Sequence, residues 1–243
     1  SGKDISNMEG SIVMAGFRDY SLEKYLKIAT DNEYTVIVYD QDTSDTKNIT
    51  RKLDAIYSPG TYISYDTESS QVLSNNVVCI WLDSHIPYRQ TTKQIVCGLS
   101  SAHIFTGETS MFEYDTSYIM NPTSFDEIER FISVICPNEV IVVSHLSEKD
   151  TNKIIQYTGI DKCAVHKIIV DTESNEKKKE KVENSQKQKY IYEILGKYYG
   201  EDAYNVCREF QMYSVATQSF CFLLDFLQDH NQNLVRKLTT PTF

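Results

Sequence analysis

Six consecutive apolar residues, Val77-Val-Cys-Ile-Trp-Leu82, narrow most sharply what this chain can fold into. A strand whose two alternating sets of side chains are both apolar belongs to a sheet covered on both faces. Glu139-Val-Ile-Val-Val143 reads as another buried strand, and Val165 to Val170 as the last strand. Gln94 to Ser101 is a second strand. Ala102 to Phe105 and Ser110 to Tyr114 form a third and its extension around a hairpin turn at Thr106-Gly107-Glu108. Ser124-Phe-Asp-Glu127 has capping-box spacing and opens a helix with the apolar stripe Phe125, Ile128, Phe131, Ile132 and Ile135, stopped by Pro137. Ser147 to Tyr157 is a second helix, with Gly159 at its end. The resulting order is βββαβαβ, antiparallel strands first and parallel ones after, which is the ribonuclease H-like arrangement.

This unit occupies the middle of the chain. Ahead of it, Leu22, Tyr25, Leu26 and Ala29 fall on one helical face, with Ser21 as the expected N-cap. The β-branched run Tyr34 to Tyr39 and the segment Lys52 to Tyr57 are strands, the second stopped by Ser58-Pro59-Gly60. One helix with a strand pair is too little for a complete domain and reads as lacking its N-terminal part. Behind the middle unit, the almost wholly polar residues 172–189 read as a linker that could carry frayed helix. Helices follow at Tyr190 to Tyr199, Glu201 to Cys207 and Tyr213 to His230. The last of these is apolar nearly all round and must be covered. Residues 190–243 cannot bury it alone, so further protein, or a second copy by self-association, is expected on it.

Charge bears on partners. The 243 residues carry a net charge of −10. Residues 1–70 contribute −5, residues 71–175 −6 and residues 176–243 +1, so no third shows the basic footprint of a domain that grips DNA unaided. The balance over 71–175 suits a protein partner better than a phosphate backbone. The 6 cysteines have no CxxC or Cys/His spacing that would hold zinc. Cys79, Cys97 and Cys221 lie in apolar runs, as reduced core thiols do, which points to an intracellular location. No apolar run approaches the ~18–20 residues of a membrane helix. No membrane contact is expected.

No catalytic constellation is legible. Metal-dependent nuclease chemistry on this fold needs several carboxylates around two ions. Asp83, Asp126, Glu127 and Glu129 are the candidates, but the fourth strand ends in Ser144-His145 where another carboxylate would be needed. His103 and His145 lack an obvious nucleophilic partner. No P-loop is present, and Lys177-Lys178-Lys179, flanked by Glu176 and Glu180, read as solvated linker. Phe112-Glu113 reads as one core and one edge residue of a strand.

Four blocks at compatible spacing resemble the DNA mismatch repair family MutS. They are Met14-Ala-Gly-Phe-Arg-Asp-Tyr20, then Tyr39-Asp-Gln41 at a strand end, then Ile56-Tyr-Ser-Pro-Gly-Thr-Tyr-Ile63 in place of the usual T-P-G-T, and Ser100 to Glu108 in place of the family hairpin. Tyr213 to Phe226, His230-Asn231, Leu238 and Pro241-Thr-Phe243 are similar to the opening of the helical core in the subfamily of giant viruses, octocoral mitochondria and some bacteria. The resemblance implies an α/β multi-domain N-terminal fragment. Residues 1–68 would be the C-terminal part of an α+β mismatch-binding domain and 69–171 a ribonuclease H-like connector. Residues 172–189 would be a linker, and 190–243 the start of an all-α core or lever domain.

Met14, Gly16, Arg18, Arg51 and Lys52 would lie near DNA, as positioning contacts to the backbone. The parent would be a homodimeric ATPase using ATP and Mg, acting on mismatched double-stranded DNA and presenting the connector to a downstream repair protein. The fragment itself would hold no cofactor and catalyse nothing. Its setting would be intracellular: a viral factory, a virion or a mitochondrion. There are departures: no Phe-x-Glu mismatch reader precedes the M-A-G block, Arg18 replaces a Pro, and Ala55 stands where relatives often have a basic residue. Phe112-Glu113 lies in the wrong domain to replace the reader. The rival readings are a metal-dependent nuclease and a free-standing protein-interaction adaptor.

Overall fold

The computed structural model describes residues 16–42, 50–63 and 75–243. Its larger sheet is built from β3 (Asn76–His85), β4 (Gln94–His103), β5 (Thr109–Ser117), β6 (Glu139–Ser144) and β7 (Ala164–Ile169), in the spatial order β5-β4-β3-β6-β7. The β5, β4 and β3 strands pair antiparallel, while β3, β6 and β7 pair parallel. With α2 (Asp126–Ile135) and α3 (Glu148–Tyr157) between the later strands, the chain order is βββαβαβ. The protein is a mixed α/β structure.

The continuous apolar strands have the expected cause. Val78, Ile80 and Leu82 join Val140 and Val142 under Phe125, Ile128 and Ile154 on one face. Val77, Cys79 and Trp81 join Ile141 and Val143 on the other, which is covered by α8 (Ser214–His230) through Phe220, Leu223 and Leu224. The helix that is apolar all round is therefore clad by the chain's own sheet on one side and by the core that holds Val182, Ile191, Leu195, Phe210 and Val235 on the others, and the expectation of further protein or a second copy on it is overturned. Burial of each such side chain contributes roughly 1.5–3 kcal/mol. Ser219 Oγ also donates to the Cys79 carbonyl at 2.8 Å and meets Ser100 Oγ at 2.9 Å, so these buried hydroxyls are paired.

Other elements depart from sequence expectation. The polar stretch 172–189 carries α4 (Glu176–Ser185). The Asn175 side chain caps it by accepting from the Lys177 and Lys178 amides, and Val182 and Ser185 are buried. One apolar residue suffices here because α8 supplies the partner surface. Next come α5 (Gln188–Tyr199), α6 (Ala203–Val206) and α7 (Glu209–Met212), and α9 (Gln232–Val235) follows α8. The Ser124–Glu127 capping box does not form. A 3-10 turn at Pro122–Phe125 precedes α2, Asn121 accepts from the Thr123 amide, and Glu127 pairs with Arg130. Ser21 likewise caps nothing with its side chain, because it ends a 3-10 turn that runs straight into α1 (Leu22–Asp31). A two-stranded antiparallel ribbon, β1 (Val36–Asp42) with β2 (Thr50–Tyr57), completes the described structure.

Cys79, Cys97 and Cys221 are buried, and burial pushes the Cys79 and Cys97 thiols up to about 12. Among the described residues no helix is long and apolar enough to cross a membrane.

The N-terminus of α8 meets the sheet at two residues. Glu113 Oε2 on β5 accepts from the Val215 amide at 2.7 Å and the Ala216 amide at 2.8 Å. The orphan donors of a helix start are thus met by a side chain more than 100 residues away in sequence. Burial raises the Glu113 pKa, and the two amides oppose that rise. Replacing Glu113 with Ala removes the cap and is expected to cost about 1 kcal/mol, read from the urea midpoint. Glu113→Gln, which keeps an acceptor, should recover most of the loss.

Candidate functional site

The most unusual side chain in the sheet is the first residue of β6. Glu139 is fully buried although it opens a strand, and a buried carboxylate is tolerated only when donors surround it. Its Oε2 accepts from Ser58 Oγ at 2.6 Å and from the Gly60 amide at 3.0 Å. Its Oε1 accepts from Nε2 of His166, on the neighbouring strand β7, at 2.5 Å. Three donors from two distant parts of the chain therefore converge on one carboxylate.

Local sequence prepares the turn that delivers two of them. After β2 the chain tightens at Ser58-Pro59-Gly60-Thr61. The Thr61 and Tyr62 amides donate to the Ser58 carbonyl at 3.1 and 3.0 Å, and the Ser58 amide donates to Thr61 Oγ1 at 2.9 Å. Gly60 is required by space. A Cβ there would stand 2.6 Å from Val77 Cγ2 and 2.8 Å from Glu139 Oε2. Asn75 Nδ2 adds a bond to the Tyr62 carbonyl at 2.5 Å. On the far side, the His166 ring lies 5.7 Å from that of Phe226 on α8. The carboxylate thus joins the end of the ribbon to the sheet and, through His166, to the long helix. It can hold the ribbon and the sheet in register, its two oxygens being taken by Ser58, Gly60 and His166.

The residues expected near DNA are dispersed. Met14 lies outside the described residues. Gly16 is exposed, with open space where a side chain would be. Arg18 is exposed just before the 3-10 turn at Asp19–Ser21, its carbonyl accepting from the Ser21 amide. Arg51 and Lys52 are exposed on β2 opposite Gln41 and Asp40. Being successive in a strand, they point to opposite faces of the ribbon, so one surface does not receive both. Among the described residues none of Arg18, Arg51 and Lys52 makes a salt bridge. Ala55 stands opposite Val38, beside the bulge between Val38 and Tyr39.

The nuclease candidates are not assembled either. Asp83 Oδ1 accepts from the Ser84 amide, Asp126 and Glu129 are on the helix surface, and among the described residues no group of three or more His, Cys, Asp or Glu gathers to hold a cation. His145 rests against Trp81 and bonds Gln186, while His103 Nδ1 accepts from the Thr106 amide.

Sequence reading passed over Glu139, His166 and the role of Ser58 and Gly60. A signal was present: a glutamate in the first position of a wholly apolar strand, and a histidine inside another, are polar groups headed for a core and therefore in need of partners. What sequence cannot supply is the pairing across 81 residues.

Comparison with known proteins adds to this picture. The family profile described as MutS domain I matches residues 2–66. A protein of Acanthamoeba polyphaga mimivirus described as a mutS homologue for DNA mismatch repair is 24% identical over 240 residues, 93% of this chain. The chain spans 21% of that relative's length. Among solved structures, the fowlpox virus Holliday junction resolvase is similar at 13% identity and a TM-score of 0.35, over 62% of this chain and 97% of that one. Its complex with Holliday junction DNA is similar at 12% and 0.31. Likeness at that level carries no functional information.

Proposed function

We propose, from its likeness to MutS domain I and to a viral mutS homologue, that the chain contributes to mismatched-DNA binding through residues 12–67 and relays movement from there into the five-stranded sheet. The sheet would act as a connector of ribonuclease H-like topology, passing the movement toward an ATPase part that uses ATP and Mg. The whole protein would work as a homodimer that offers the connector to a downstream repair protein. The observation that carries this reading is the buried Glu139 carboxylate. It fastens the turn ending the ribbon to the start of β6 with two hydrogen bonds, so displacement of the ribbon bears directly on the sheet.

The DNA contacts would be to phosphates, which supply affinity and register and no base information. Fluorescence anisotropy with a G·T duplex and its matched counterpart tests this. Charge reversal at a contacting residue should weaken both duplexes alike and make the salt dependence shallower by about one counterion. Arg18→Glu is expected to do so. Of Arg51→Glu and Lys52→Glu, one should act and the other should not, because the strand sends them to opposite faces. Binding untouched by all three reversals would remove the ribbon from the DNA interface.

A further inference from the structure

Where β2, β6, β7, α4 and α8 converge, the structure forms a half-open cavity of about 280 Å³. It lies just under the ~300–1,000 Å³ range of small-molecule pockets. Its floor is apolar, made by Ile56, Ile141, Ile168, Phe222 and Phe226. Lys177, Lys178 and Lys181 stand among its walls. Lys181 is committed to Asp229. Lys177 and Lys178 make no salt bridge among the described residues, although Glu176 and Glu180 flank their run in sequence. Two uncommitted ammonium groups above an apolar floor are a local exception in a chain of net charge −10.

The cavity also holds aromatic rings in series. Phe226 lies 4.2 Å from the His230 ring and 5.7 Å from that of His166, centroid to centroid. His230 donates from Nδ1 to the Phe226 carbonyl at 2.8 Å, which leaves Nε2 as the ring's acceptor. The burial that pushes its pKa down agrees with the neutral form.

We propose that this cavity binds a nucleoside monophosphate, the base against Phe226 and the apolar floor and the phosphate on Lys177 and Lys178. Each part of the site selects against a simpler ligand. Inorganic phosphate leaves the apolar floor in contact with water, and an uncharged nucleoside leaves the lysines unused. A DNA duplex is too large for a cavity of this volume, and the acidic chain repels a long polyanion more than a single phosphate. Lysines contact phosphate as point charges, so the site would not require a particular phosphate orientation. Ile56 of the ribbon lines the cavity but Arg18, Arg51 and Lys52 do not, so neither proposal depends on the other.

Isothermal titration calorimetry of the 243-residue chain with AMP, adenosine and inorganic phosphate at low salt tests the proposal. AMP should bind saturably at one site, with adenosine and phosphate each weaker by about tenfold or more. The double variant Lys177→Glu, Lys178→Glu should weaken AMP by at least about tenfold while leaving the urea midpoint unchanged, since both side chains are exposed. Phe226→Leu should weaken AMP and leave the weak phosphate binding as it was. The proposal fails if AMP shows no saturable binding or binds no better than phosphate. It also fails if AMP binding survives reversal of both lysines, or if a DNA duplex displaces AMP stoichiometrically, which would make the lysines a DNA-backbone contact.

Discussion

Replacing Glu139 with Ala is expected to destabilise the protein by about 3–5 kcal/mol, the usual cost of removing one member of a buried charged network. Three donors lose their acceptor at once: Ser58 Oγ, the Gly60 amide and His166 Nε2. Each buried donor left unmet costs about 1–3 kcal/mol. Glu139→Gln should cost much less, about 1–2 kcal/mol. Its amide oxygen keeps Ser58 and Gly60, and its amino group can donate to the other tautomer of His166. The contrast separates hydrogen-bond loss from cavity formation. Urea unfolding reads the global cost, and hydrogen exchange at the Thr61 and Tyr62 amides reads the local one. If Glu139 is the joint between ribbon and sheet, those two amides should lose protection in Glu139→Ala well beyond the change in the β3 and β4 amides. Uniform loss of protection would make the carboxylate a core group with no special hold on the turn, and the relay would lose its support.

The second large effect is expected at Gly98. A Cβ on this β4 residue would lie 2.4 Å from the Val215 carbonyl carbon and 2.5 Å from the Ala216 nitrogen, both backbone atoms that cannot rotate away. Gly98→Ala should therefore push the start of α8 off the sheet at a cost of about 1–3 kcal/mol, and Gly98→Val should cost more. Three features would move together: the Glu113 cap on α8, the Ser100–Ser219 contact, and the packing of Phe220 on the sheet. Displacement would also expose a helix that is apolar on every side, so the variant should bind a hydrophobic dye and self-associate on gel filtration. A Gly98→Val protein with the wild-type urea midpoint and elution volume would mean that α8 is held elsewhere.

These two residues mark where sequence reading ended. Val77 to Leu82 and Glu139 to Val143 announced strands covered on both faces, and the βββαβαβ order was legible because each element carries its own period of apolar residues. Polar stretches misled. Residues 176–185 form a helix whose apolar face is one buried valine, too little to raise a periodic signal, and the helix is held by Asn175 and by contact with α8. The capping box at Ser124 had the right spacing, yet Asn121 and Pro122 set an earlier 3-10 turn that leaves Glu127 to Arg130. The apolar helix Tyr213 to His230 was correctly read as needing cover, but the larger part of that cover lies more than 100 residues upstream in β3 and β4, and α4, α5, α7 and α9 supply the rest.

The sequence by itself determined the order of the sheet's strands and helices and the MutS-like blocks, because strand and helix periodicity, turn residues and family spacing are local properties of a chain. Tertiary structure alone decided that α8 is the second cover of the sheet, that Glu113 caps it, and that Glu139 gathers Ser58, Gly60 and His166. It also decided that Arg51 and Lys52 part to opposite faces of a ribbon while Lys177 and Lys178 come to the edge of a cavity. Each of these is a pairing of groups far apart in sequence, and a buried carboxylate or an uncommitted lysine acquires its role only from what the fold brings beside it.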